Sequence, residues 1–365
     1  MTGRRFKYFM VLVAVVLLTG SCVKHTKASR VPVPGVSAIL NAPRSRNYQI
    51  ISTFNPSSSH GSIAVIGDPD RASALGRRYA EFDKFDNITG SAVSDLLPDF
   101  SGEEIAVIID SASFPYEPYV QNREFIDLRE NTLRLSILAL DSAYVQTSYY
   151  DEAAGSKPGS KILVLASPYL AAYGFFDVDS LFTALNADIP VMSPAASALE
   201  EALDRKMTTI GIVADSLDVC TSVYDTLFSI VKEHKRVAEG KIFVSTSESS
   251  DPERTNLLKI WLDGYKANGG RDAIDMLIVD DGHVAADSLK AGLWEIRNVK
   301  DEENYEYAQL LSNDFVIVDA MDCVTEKSFK LMRNRNIFTH NVAYPVLSYF
   351  RTRDEGDVVE LIKTR

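Results

Sequence analysis

The densest chemistry in the chain lies at Asp280-Asp281-Gly282-His283. Two carboxylates and an imidazole can hold a hard or borderline metal. Successive strand residues point to opposite faces, however, so the three converge only if the chain turns. An acidic turn capping the next helix uses the same residues without a metal, and neither a metal site nor a cofactor is expected. His340, on a strand expected over 337–345, reads either as a ligand-facing or as a structural histidine. Ser57-Ser58-Ser59-His60 offers hydroxyls to a ligand or forms a solvated loop. Tyr116, Tyr119, Tyr169 and Tyr173 fall in loops after strands, where aromatic rings stack on a ligand or wedge into the core. Cys220 and Cys323 each follow an apolar run, and three states stay open for them: buried thiols, a disulfide, or a reactive role. The chain has no Gly-x-Gly-x-x-Gly, phosphate loop, His-Glu-x-x-His or Gly-x-Ser-x-Gly elbow. With no complete catalytic set, no catalytic residue is named, and binding is preferred to catalysis.

The elements that must position these residues are short apolar strands alternating with helices. Ile162-Leu163-Val164-Leu165, Ile189-Pro190-Val191-Met192 and Ile210-Gly211-Ile212-Val213 are nearly unbroken apolar runs, as expected where helices cover both faces of a sheet. Helices are expected over 177–186, 195–206 and from Asp218 onward, which makes the fold class α/β with right-handed parallel crossovers. Further strands are expected at 63–66, 105–109, 144–150, 241–245, 276–279 and 315–318, and helices at 124–140, 252–267, 285–294 and 325–333. About ten strands are too many for one ordinary doubly wound sheet and suit two. Ligands of open parallel sheets bind beyond the carboxyl ends of the strands. Ser167-Pro168-Tyr169, Ser193-Pro194 and Asp215-Ser216 lie there.

The net charge is −12, with 50 acidic against 38 basic residues and 46% apolar content. Such a balance offers no broad basic face to nucleic acid. Arg4, Arg5 and Lys7 precede an apolar stretch of about ten residues, too short to span a bilayer, then Thr19-Gly20-Ser21-Cys22. This order resembles a bacterial lipoprotein signal, which implies cleavage after residue 21, lipidation of Cys22 and an envelope protein anchored to a membrane by its lipid. Residues 22–46, with Pro32, Pro34, Gly35 and Pro43, read as a flexible tether. An N-terminal lobe is then expected over 47–207, a C-terminal lobe over 208–350 and a tail over 351–365.

From Ile105 onward the order of elements resembles the type I periplasmic binding protein fold. Ile189-Pro190-Val191-Met192-Ser193-Pro194 is similar to the segment before its hinge, and Thr209-Ile210-Gly211-Ile212-Val213-Ala214-Asp215 to the strand opening its second lobe. The resemblance implies two doubly wound lobes that close on a small solute. It also implies a wall formed by Ser111, Ser113, Ser167, Tyr169, Ser193, Asp215, Asp218, Asp281 and Asp319, and a membrane transporter or receptor as partner. A second resemblance, over residues 194–227, is to aspartate/glutamate racemases, whose two facing cysteines act as acid and base; Cys220 and Cys323 would then serve, outside that family's Cys-Asn-Thr and Gly-Cys-Thr-His settings. A non-catalytic envelope scaffold is the third reading.

Overall fold

The computed structural model describes residues 30–147, 152–248, 255–339, 343–356 and 359–364. The signal-like segment with Cys22, and His340, lie outside these residues. In chain order the elements begin with α1 (Pro34–Leu40), α2 (Arg46–Ser52), β1 (Ser62–Gly67), α3 (Pro69–Glu81) and β2 (Glu104–Ile109). Next come α4 (Glu117–Gln121), α5 (Phe125–Leu140), β3 (Ala143–Thr147), β4 (Glu152–Ser156) and β5 (Ser160–Leu165). A π-helical turn (Leu170–Gly174) leads into α6 (Phe175–Ala184), β6 (Val191–Met192) and α7 (Pro194–Asp204). The chain continues through β7 (Thr209–Val213), α8 (Ser216–Thr221), α9 (Val223–Lys235), β8 (Lys241–Ser245), α10 (Leu257–Ala267) and β9 (Ile274–Val279). It ends with α11 (Ala286–Asn298), α12 (Glu302–Ala308), β10 (Leu311–Asp319), α13 (Ala320–Arg335), β11 (Val346–Asp354) and β12 (Val359–Lys363).

The class is α/β with mainly parallel strands in two sheets. The first runs β4-β3-β12-β11-β2-β1-β5-β6 and the second β10-β9-β7-β8. Every pair in the second sheet is parallel, as are β11-β2-β1-β5-β6 in the first. The central strands β1, β2, β5, β7 and β9 are apolar on both faces because both faces are covered. On one side of the first sheet Ala64, Ile66, Leu163 and Leu165 share a core with Ile210, Ile212, Met276 and Ile278 of the second. On the other side Ile63, Val65, Ile105 and Val107 pack against α3 and α13 through Leu75, Tyr79 and Phe329. Gly76 lets α3 sit close to the sheet, since a Cβ there would overlap Val107.

Three expectations need correction. Residues 34–40 are helix, where a tether was expected. Val33, Val36 and Ile39 are buried on one side, and Pro34 is pre-set for the first helical position. Acids far along the chain hold the segment: the Val33 amide donates to Asp177 Oδ1 and the Gly35 amide to Glu130 Oε1. Residues 337–339 form no strand; the Thr339 amide donates to Glu103 and its hydroxyl to the Gly102 carbonyl, so side chains and not a ladder fix this segment. The span 351–365, expected as a tail, supplies the second part of β11 and all of β12. Through them the end of the chain joins the first sheet, away from the C-terminal lobe to which 346–350 was assigned.

Candidate functional site

Asp280, at the end of β9, belongs to two arrangements. The first is a buried cluster around Arg71, in the first turn of α3. Asp68 caps α3 by accepting the Arg71 amide, and the turn aims the guanidinium at the second sheet. Arg71 Nη2 pairs with Asp218, and with Asp215 at 3.2 Å. Nη1 lies 3.6 Å from Asp280 Oδ2 and makes no hydrogen bond. The Tyr224 hydroxyl donates to Asp280 Oδ2 at 2.7 Å and reaches Asp218 Oδ2 at 3.5 Å. Burial works against Arg71's charge, but the surrounding acids outweigh it and hold the group charged. One cation among several acids leaves surplus negative charge in a dry place. Burial accordingly pushes the Asp218 carboxyl up to about 7, against the pull of Arg71 and with help from Asp215 and Asp280. It raises Asp280 and Asp68 as well.

The second arrangement is an open groove of about 820 Å³ between α3 and the carboxyl ends of β9 and β10. Asp280, Asp281 and His283 line one side, Asp319 and Asp322 the end, and Arg77 and Arg78 the α3 side. Arg78 is committed, to Asp319 at 3.2 Å and Asp322 at 3.0 Å. Arg77 is exposed and makes no ion pair among the described residues. Burial, reinforced by Asp319, raises the Asp322 carboxyl against Arg78 and Lys84. Asp280 accepts no hydrogen bond at Oδ1 from the described residues, while Tyr224 fixes Oδ2. The groove therefore has two carboxyls whose ionisation burial disfavours and one guanidinium without an ion pair among the described residues.

The nine expected wall residues are dispersed. Asp281 and Asp319 line the groove; Asp281 accepts the His283 amide, so this stretch is an acidic turn, and Asp319 caps α13. Asp215 and Asp218 belong to the Arg71 cluster. The Tyr169 hydroxyl shares a hydrogen bond with Thr221 Oγ1 at 2.8 Å and binds α8 to the first sheet. Ser113 donates to Asn131 beside the buried Asp110. Ser111 is exposed, and Ser167 and Ser193 are buried. Of the other marked residues, Tyr116 donates to Asp110, Tyr173 stacks on Phe125, and Ser58 and His60 bond each other at the opposite, amino end of β1. Cys220 is an exposed thiol on α8 and Cys323 a buried one on α13. Neither lines the groove, and burial holds Cys323 in its neutral form.

Arg71, Arg77 and Asp322 were not anticipated. The available signal was spacing: Arg71, Leu75 and Tyr79 fall four apart on one stripe of α3, and an arginine on a buried stripe requires counter-charges.

Among solved structures, a glutamate racemase isoform from Bacillus anthracis aligns over 81% of this chain and 90% of its own, at 15% identity and a TM-score of 0.45. Glutamate racemase from Francisella tularensis aligns over 81% and 89%, at 13% identity and a TM-score of 0.48. An arylmalonate decarboxylase aligns over 74% and 92%, at 10% identity and a TM-score of 0.35. No family model matches the sequence, and no curated protein does. These neighbours are enzymes and not periplasmic binding proteins. The expectation of a solute held in a cleft that two lobes close over is corrected by the structure itself. The expected wall lines no common cleft, and the two sheets meet through a shared core and the Arg71 cluster.

Proposed function

We propose that this chain is an enzyme that moves a proton at the carbon next to a substrate carboxylate, using two carboxyl groups where the cysteine pair was considered. The observation carrying this reading is that the raised carboxyls of Asp280 and Asp322 line one groove with the unpaired Arg77. A general acid or base works best with its pKa near ambient pH, and burial moves both carboxyls that way. Arg77 would hold the substrate carboxylate as a planar fork, with Asp280 and Asp322 serving as base and acid at the neighbouring carbon. The signal-like start supports placing this enzyme in the cell envelope, anchored through Cys22.

The test is loss of the Cα proton signal in D2O, followed by NMR, for a panel of small 2-amino and 2-hydroxy acids. Exchange is expected with at least one of them. Asp322→Asn is expected to slow it by about 100-fold, within the range for a positioned acid or base, and Cys220→Ser with Cys323→Ser to leave it unchanged. A panel with no exchange, or exchange that vanishes with the serine pair, overturns the reading.

A further inference from the structure

The Asp280 side chain is only 4% exposed, so a substrate filling the groove would leave its carboxyl no direct access to water. Behind it, away from the groove, lies an alternation of hydroxyls and carboxyls. The Tyr224 hydroxyl is 2.7 Å from Asp280 Oδ2 and 3.5 Å from Asp218 Oδ2. Nearby, the Tyr169 hydroxyl is 2.8 Å from Thr221 Oγ1 and 3.4 Å from the Leu217 carbonyl, which packs the half-buried side of α8 against this cluster. We infer that Asp280, Tyr224 and Asp218 form a proton relay from the groove into the buried Arg71 cluster, with Tyr224 as the residue that positions and couples the two carboxyls. This rests on the proton-transfer reading above.

The step balances without any other reactant. When Asp280 is protonated the Tyr224 hydroxyl turns its hydrogen from Asp280 to Asp218; Asp280 then passes its proton to the Tyr224 oxygen while Tyr224 passes its own to Asp218, so one O–H bond breaks for each that forms and no charged tyrosine is left behind. The two transfers must be concerted, because burial beside carboxylates makes a free Tyr224 phenolate costly. Asp218 suits the acceptor's part. Its neighbours are Arg71 and the surplus acids Asp215 and Asp280, which leave it close to the balance between protonated and ionised. Two bases that exchange a substrate proton finish a turnover with their protonation states swapped, and a path of this kind returns the proton while the groove is occupied.

Tyr224→Phe removes one oxygen and keeps the ring that fills the core. Steady-state exchange is expected to fall at least tenfold at an unchanged KM, and small acids such as acetate or imidazole are expected to restore it by carrying the proton themselves. Wild-type exchange should not depend on such buffers. A variant as fast as wild type, or one slowed without buffer rescue, overturns the path. Carbon-13 NMR of labelled aspartates in the full chain decides the coupling even if no substrate exchanges. Asp218 and Asp280 should titrate as a linked pair in wild type and with weaker linkage in Tyr224→Phe, where only their direct repulsion and the shared Arg71 still join them. Independent titration in wild type overturns the proposal, whatever becomes of the enzymatic reading.

Discussion

Asp218 shows most directly what burial does to a single group. Its folded pKa of about 7 exceeds the ordinary value of about 3.9, so between these two the folded chain holds a proton that the unfolded chain has released. The contribution of this carboxyl to stability is therefore greatest below about pH 4 and falls as pH rises toward 7, by at most about 1.4 kcal/mol per pH unit. Asp99, pushed up to about 6 by burial, tilts stability the same way. The informative measurement is the difference between wild type and Asp218→Asn. Urea midpoints should decline from pH 5 to pH 7.5 more steeply in wild type, and equal slopes would contradict the assignment. At this scale the sequence disclosed residue types and not company. The Asp280-Asp281-Gly282-His283 stretch stood out, and all of it lines the groove. Nothing local to Arg71 revealed which acids would face it, nor anything local to Asp322 that Arg78 would, because those partners arrive from elements of the other sheet.

Among elements, the apolar runs were legible because covered parallel strands carry their signal in composition. β1, β2, β5, β7, β8 and β9 lie where such runs occur. Elements whose stabilisation is non-local were not legible. α1 has no acid of its own in its first turn and borrows Asp177 and Glu130. β11 hides its alternation because its buried face carries Ser348 and Thr352 beside Phe350, and Thr352 is there to donate to the buried Asp110 at 2.9 Å. Two substitutions test these accounts. Val36→Ala should cost about 2 kcal/mol, as for a truncated core side chain, whereas a residue in a loose tether would cost almost nothing. Ser222 joins α8 to α9 at φ 53°, a left-handed conformation that costs a non-glycine residue about 1 kcal/mol. Ser222→Gly should therefore raise the melting temperature by a few degrees or leave it unchanged, and should not lower it.

For the whole molecule, residues 33–365 form one compact unit in which the parallel α/β class was readable and the assignment of chain ends to sheets was not. No helix among the described residues is long and apolar enough to cross a membrane, so membrane attachment in the proposed reading depends on Cys22. Feeding cells an alkyne-tagged fatty acid should label the protein and fail to label Cys22→Ser; equal labelling would place the lipid elsewhere, and none at all would remove the anchor. The position of the last two strands has a further consequence, for the order of folding. β11 lies between β2 and β12, and β12 is what connects the β3–β4 hairpin to the other strands. A growing chain must therefore keep an open edge at β2, and a hairpin with no neighbour, until β11 and β12 arrive. Closure over so long a sequence separation is slow, and unpaired edges invite wrong pairing. Chains stalled at residue 345 should remain protease-sensitive along most of their length, and release of the remaining residues should confer protection in one late, cooperative step.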